Sequence, residues 1–211
     1  MDIKEFEKLP ILGILRGVKE EDIEPLVEAV AAVGLRAIEI TLNTPHAAAV
    51  IKRTIKAARG RLSVGAGTVL DESSLKAAIN AGASFIVSPV LVKEVAIFCR
   101  REKIAFFPGA LTPQEIYCAW QAGAAMVKVF PAGFFGPAYF KEIKAPFEHI
   151  KLLACGGVNA ANIAEFFKNG ADAAAFGGSV FNKDLFADKE FSRIGDNVKM
   201  LIAGYFSRRE K

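Results

Sequence analysis

Eight short, apolar, β-forming runs recur along the 211-residue chain, each followed by a stretch with helical spacing, and few folds accommodate that alternation. The runs cover residues 10–16, 36–41, 62–68, 84–88, 104–108, 125–130, 151–155 and 171–176. Near-continuous apolar strands mark a parallel sheet covered on both faces. Helix-like segments lie near 20–33, 45–59, 71–81, 91–102, 112–122, 137–145 and 159–169, and another follows near 189–206. Asp71 before Glu72, Thr112 before Pro113, and Asn159 supply helix starts. Gly34, Gly82, Gly123 and Gly170 supply the left-handed residue that closes a last turn. Eight strand–helix units in a chain of this length predict an α/β protein, a single (β/α)8 TIM barrel over residues 1–211. A short N-terminal helix around 3–8 is expected to cover its bottom. A doubly wound open sheet uses the same alternation and is the structural alternative.

Composition narrows the class. With 52% hydrophobic and 24% charged residues the chain can bury a sizeable core as a soluble globular domain. A formal net charge of +4, with no dense Lys/Arg block, argues against a nucleic-acid partner and leaves anionic small substrates open. Cys99, Cys118 and Cys155 form no Cys-x-x-Cys pair, which argues against a disulfide framework or a zinc site and fits a reducing cytosol. His46 and His149 are too few for a histidine-rich metal centre. The start of the chain has no secretory pattern and no apolar run reaches membrane-spanning length, so a cytoplasmic protein with no membrane partner is expected.

One lysine breaks the apolar run Ala124-Ala125-Met126-Val127-Lys128-Val129-Phe130-Pro131. An unpaired ammonium in a buried strand is costly, and such a group tends to give up its proton. A neutral lysine is a nucleophilic amine, able to form a Schiff base with a ketone. The alternative is that Lys128 sits at a strand end and reaches water. Period-two parity places Glu39 on the face of Ala37 and Thr41, with Ile38 and Ile40 opposite. Lys128 shares its face with Met126 and Phe130. Arg16 ends its strand on the face of Leu12 and Ile14, and Thr68 follows on the face of Ala66. All four lie at or near strand C-terminal ends, where barrel enzymes build active sites. Lys128 then serves as the amine, Glu39 as acid/base, and Arg16 and Thr68 as ligands for an anionic substrate. Singly each has a plain structural reading: a buried Glu39–Lys128 ion pair, a rim charge, a β-branched strand residue. Together they favour an active site, because a small barrel rarely spends several interior positions on charges.

Gly156-Gly157 follows the seventh run and Gly177-Gly178-Ser179 the eighth. Loops after strands 7 and 8 are the usual phosphate site of such barrels, where glycine lets backbone N–H groups approach the anion. Ser179 adds a hydroxyl donor. The phenylalanines Phe134, Phe135 and Phe140 read as core or subunit-interface packing, and Cys155 gives no sign of a nucleophile.

Through Ile14-Leu15-Arg16-Gly17, Glu39-Ile40-Thr41-Leu42, Gly65-Ala66-Gly67-Thr68, Ser88-Pro89, Pro108-Gly109, Lys128-Val129-Phe130-Pro131, Gly156-Gly157 and Gly177-Gly178-Ser179, in order, the chain resembles the bacterial 2-keto-3-deoxy-6-phosphogluconate (KDPG) aldolase family. This class I group also contains 2-keto-3-deoxy-6-phosphogalactonate (KDPGal) and 4-hydroxy-2-oxoglutarate (KHG) aldolases. The resemblance implies a Schiff base between Lys128 and the substrate C2 ketone, with Glu39 as general acid/base. It implies Thr68 on the pyruvate carboxylate, Arg16 on a polar part of the substrate, and Gly156, Gly157, Gly178 and Ser179 around the phosphate. It implies a homotrimer acting on a small phosphorylated keto acid without metal or organic cofactor, the KDPG cleavage being a step of the Entner–Doudoroff pathway. Many KDPG aldolases carry arginine at the position of Asn43 and read Pro-Thr-Gly-Gly where this chain reads Ala154-Cys155-Gly156-Gly157. Leu42-Asn43-Thr44-Pro45 and Phe135-Gly136-Pro137 look more like the phosphogalactonate branch. KDPG is therefore ranked first and KDPGal second. A phosphate-binding isomerase, epimerase or decarboxylase, or a non-catalytic binder, is the remoter alternative.

Overall fold

The computed structural model describes residues 1–207. In chain order the elements are α1 Ile3–Lys8, β1 Ile11–Leu15, α2 Ile23–Ala32, β2 Ala37–Thr41, α3 Ala47–Ala58, β3 Ser63–Gly67, α4 Glu72–Asn80, β4 Phe85–Val87, α5 Lys93–Arg101, β5 Ala105–Phe107, β6 Gly109–Ala110, α6 Pro113–Gln121, β7 Val127–Val129, α7 Ala138–Lys144, β8 Leu152–Cys155, α8 Ile163–Lys168, β9 Ala173–Phe176, α9 Lys183–Ala187 and α10 Phe191–Phe206. All strand pairs are parallel, in the order β5-β4-β3-β2-β1-β9-β8-β7-β6. The two ends of that order, β5 and β6, are one run interrupted at Pro108. β5 pairs with β4 and β6 with β7, so the broken strand closes the barrel. Proline has no N–H to give a ladder, which is why the strand expected over 104–108 stops at Phe107 and pairing resumes only at β6, past its expected end.

Local chemistry sets most helix limits. Asp71 accepts from Ser74 N–H at 2.7 Å and Thr112 from Glu115 N–H at 3.3 Å, each completing a capping box. Asn159 differs from its expected role. Its side chain accepts from Ala161 and Asn162 N–H and builds a turn, and α8 starts only after Asn162. The segment expected near 189–206 is α10, and the short α9 before it lacks a long enough apolar period to be read from the sequence.

Two apolar layers follow from strand parity. Ile38, Ile40, Val127 and Val129 pack outward among the helices. Leu12, Ala37, Phe85, Phe107, Met126, Leu153, Ala173 and Ala175 fill the barrel interior. The predicted N-terminal helix closes the bottom. Asp2 caps α1, and Phe6 enters the interior cluster with its ring edge-on to Phe107, centroids 6.0 Å apart. Full burial of such a side chain stabilises by roughly 1.5–3 kcal/mol. The lower interior is thereby plugged with apolar rings, and the polar inward residues are left to the C-terminal half.

Candidate active site

Lys128 and Glu39 both project into the barrel, 7% and 1% exposed. On one side of each the ladder neighbour is a glycine: Glu39 pairs with Gly65, and Lys128 with Gly109, while Ile14 and Leu153 lie on the other sides. Gly67, the next inward residue of β3, leaves room for the Glu39 side chain. A Cβ there would lie 2.8 Å from Glu39 Cδ and closer still to Oε1. A side chain at Gly109 would run into the Pro89 carbonyl. The Glu39 side chain therefore occupies space that Gly67 leaves open.

No direct ion pair joins Glu39 and Lys128 among the described residues, and Glu39 Oε2 is buried without a hydrogen-bond partner. A plain structural ion pair does not describe this arrangement. Burial, opposed by the charges of Lys128 and Arg16, holds the Glu39 carboxyl above its ordinary pKa. For Lys128 burial is the largest single influence and acts downward. The Glu39 charge and then Cys155 act upward and prevail, leaving the ammonium above its ordinary value. This corrects the expectation that burial alone makes Lys128 neutral: a carboxylate inside the same barrel reverses the sign. Both groups hold protons more tightly than in water. The ring of Phe130, two residues on, lies with its centroid 5.4 Å from Lys128 Nζ. Cys155 interacts with Lys128 as well, and burial pushes its thiol pKa upward, in keeping with its not being a nucleophile.

The other expected residues ring this pair at the C-terminal mouth. Arg16 stands one residue past β1, exposed; its guanidinium makes no hydrogen bond or ion pair among the described residues, yet its charge bears on both Glu39 and Lys128. Thr68 departs from the parity expected of it. Ala66 faces the helices, so simple alternation would send Thr68 outward too. Instead β3 ends at Gly67 and Thr68 turns with φ 59°, a left-handed conformation uncommon for a β-branched residue. Val69 clamps that turn: its N–H donates to the Val87 carbonyl at 3.2 Å, and its carbonyl accepts from the buried Ser88 hydroxyl at 2.6 Å. Strain of this kind persists only where the surroundings over-determine it.

Gly156 and Gly157 adopt φ 92° and 81° after β8, and Gly178 and Ser179 follow β9. The backbone N–H groups of these four residues meet no acceptor among the described residues. The Ser179 hydroxyl, expected as a free donor, is already donating to the Val158 carbonyl at 2.8 Å, which ties the two glycine loops together. Sequence reasoning assigned no role to Thr41, Thr44 and Ser88, three buried hydroxyls, the first at the end of β2 and the other two in loops. Their signal was only a polar residue at the end of an apolar run.

The family model described as KDPG and KHG aldolase matches residues 3–197. The chain is 40% identical over 164 residues to a 2-dehydro-3-deoxy-phosphogluconate aldolase of Pseudomonas aeruginosa, covering 77% of this chain and 73% of that one. It is 34% identical over 199 residues to a 2-dehydro-3-deoxy-6-phosphogalactonate aldolase of Escherichia coli, covering 94% and 95%. A crystal structure of KDPG aldolase from Legionella pneumophila, with pyruvate captured as a covalent carbinolamine intermediate, is similar with a TM-score of 0.87 at 25% identity, covering 96% of this chain and 98% of that one.

Proposed function

Because the chain belongs to the KDPG and KHG aldolase family and is a carbon–carbon lyase, we propose that it cleaves 2-keto-3-deoxy-6-phosphogluconate reversibly to pyruvate and glyceraldehyde 3-phosphate by a Schiff-base mechanism. The observation that carries this reading is a lysine and an unpartnered carboxylate buried together inside a barrel, below its C-terminal mouth.

Lys128 holds its proton more tightly than a free lysine, so forming the nucleophilic amine means moving that proton off it. Glu39 in its carboxylate form, with its pKa raised by burial, is a fitting acceptor. Lys128 Nζ adds to the C2 ketone to give a carbinolamine. Glu39 returns its proton to the carbinolamine hydroxyl, which leaves as water and gives a protonated imine with Glu39 again a carboxylate. Glu39 takes the proton of the C4 hydroxyl. The C3–C4 bond breaks, its electron pair passes into the iminium to give an enamine, and the aldehyde departs. Protonation at C3 and hydrolysis then release pyruvate and restore Lys128. Phe130, beside the nitrogen, favours its positive charge throughout. Thr68 binds the pyruvate carboxylate, and Arg16 binds a polar part of the substrate. The unpaired N–H groups of Gly156, Gly157, Gly178 and Ser179 receive the phosphate, with the Ser179 hydroxyl holding the loop.

KDPGal is the second reading. Cys155 stands where a threonine would offer a hydroxyl to the substrate, and the similarity to the E. coli phosphogalactonate enzyme runs over 94% of the chain. We place the enzyme in the cytoplasm as a homotrimer. Phe134, 86% exposed, and Phe135, 56% exposed, offer apolar surface for a subunit contact. The two diastereomeric phosphorylated keto acids, supplied separately with pyruvate release as the readout, test the substrate. Faster turnover of the gluconate-derived compound supports the first reading, and faster turnover of the galactonate-derived one supports the second. Release of pyruvate from neither overturns both.

A further inference from the structure

Arg16 is the first residue beyond β1 and has no side-chain anchor, so its direction depends on the backbone that follows. That backbone is Gly17, at φ 68°, with open space where a Cβ would stand. Its N–H donates to Thr44 Oγ1 at 3.0 Å, across 27 residues of sequence. Thr44 in turn shares a hydrogen bond with Thr41 Oγ1 at 3.2 Å, and its N–H donates to the Thr41 carbonyl at 2.9 Å. Thr41 and Thr44 are 1% and 4% exposed. Thr41 lies on the inward face of β2 with Glu39, so the chain of bonds runs from the strand that carries the carboxylate to the loop that carries the guanidinium. A glycine free to take many conformations is thus held in one by a buried hydroxyl.

We propose that Thr44 is a positioning residue: it fixes the Gly17 turn, and so sets where Arg16 meets the anionic part of the substrate. This rests on the substrate-binding reading of Arg16 given above. The loss should appear in KM and leave the chemistry at Lys128 and Glu39 intact.

The test compares Thr44→Val, Thr44→Ser, Arg16→Gln and the Thr44→Val/Arg16→Gln double variant by steady-state kinetics on the phosphorylated keto acid. Thr44→Val is expected to raise KM about five- to ten-fold, the effect of one hydrogen bond, with kcat changed less than about two-fold. Thr44→Ser, which keeps the hydroxyl, restores KM. In the Arg16→Gln background, adding Thr44→Val raises KM no further, because both changes act on one contact. If Arg16→Gln raises KM and Thr44→Val does not, or if their effects multiply, the positioning role is overturned while the Arg16 reading stands. If Arg16→Gln leaves KM unchanged, that reading falls and this one with it. Thermal melts of every variant monitor folding. Thr44→Ala serves in place of Thr44→Val if the valine lowers the melting temperature too far for kinetics.

Discussion

Replacing Gly67 by alanine should disable the enzyme without replacing any group proposed to react. The added Cβ would lie 2.8 Å from Glu39 Cδ, and Glu39 is 1% exposed, so the carboxyl cannot swing out to solvent. To reach ordinary contact it must retreat by about 1 Å, and a misplacement of that size at a reacting group costs on the order of 100-fold in rate. Packing one extra methyl into the interior should cost about 1–3 kcal/mol of stability, which a barrel of this size can survive. The assay is kcat from coupled detection of pyruvate, with a thermal melt to confirm folding. End-point borohydride reduction with pyruvate supplies the control, because Lys128 is not displaced and should still be trapped even where a shifted Glu39 accepts its proton more slowly. The expected result is a folded protein that forms the imine and turns over about 100-fold slower. A folded Gly67→Ala protein with kcat within about three-fold of the parent would mean that the position of Glu39 is not critical, and its acid/base role would fall.

Other expectations follow from the same geometry. Burial holds Glu39 above its ordinary 4.5 against the opposing charges of Lys128 and Arg16, so the acid limb of kcat/KM should lie above 4.5, activity falling as pH drops through the raised value. For stability the sign is opposite: the folded chain binds this proton more tightly than the unfolded one, so the contribution is fully present below 4.5 and lost as pH rises through the folded pKa. Glu39→Gln should remove that loss, read from urea midpoints between about pH 4 and about pH 8. Thr68→Gly relieves a left-handed β-branched residue, worth roughly 1 kcal/mol, so the melting temperature should hold or rise while KM increases several-fold; a clear fall in melting temperature contradicts the strain. Gly157→Ala strains φ 81° and sets a Cβ 3.0 Å from Gly133 Cα. It should raise KM for the phosphorylated substrate by at least about ten-fold while leaving pyruvate trapping on Lys128 unchanged, and equal loss of both would contradict a phosphate role for that loop.

The strands and their faces were legible because parity and apolarity agree along each run: Ile38 and Ile40 went out, and Glu39 went in, as their alternation requires. That Lys128 and Glu39 both face the barrel interior was legible for the same reason. The Pro108 break hid inside a run whose apolar pattern continues on both sides of it. Thr68 was misplaced because parity holds only while the strand lasts, and its aim is set by Val87 and Ser88, 19 and 20 residues away. The charge state of Lys128 needed the field of a carboxylate 89 residues earlier, which no local window contains. Thr44 and Ser179 were opaque for a related reason: a hydroxyl's partner is a matter of which loops meet, and the sequence shows only that a hydroxyl is there.

The central claim is that Lys128 is the Schiff-base nucleophile. Incubating the protein with pyruvate and borohydride, then measuring intact mass and mapping peptides, tests it most directly. A single reduced pyruvyl adduct, on Lys128 and absent from a folded Lys128→Met variant, is the predicted result. A folded protein that acquires no adduct in excess pyruvate, or acquires it on another lysine, would contradict it.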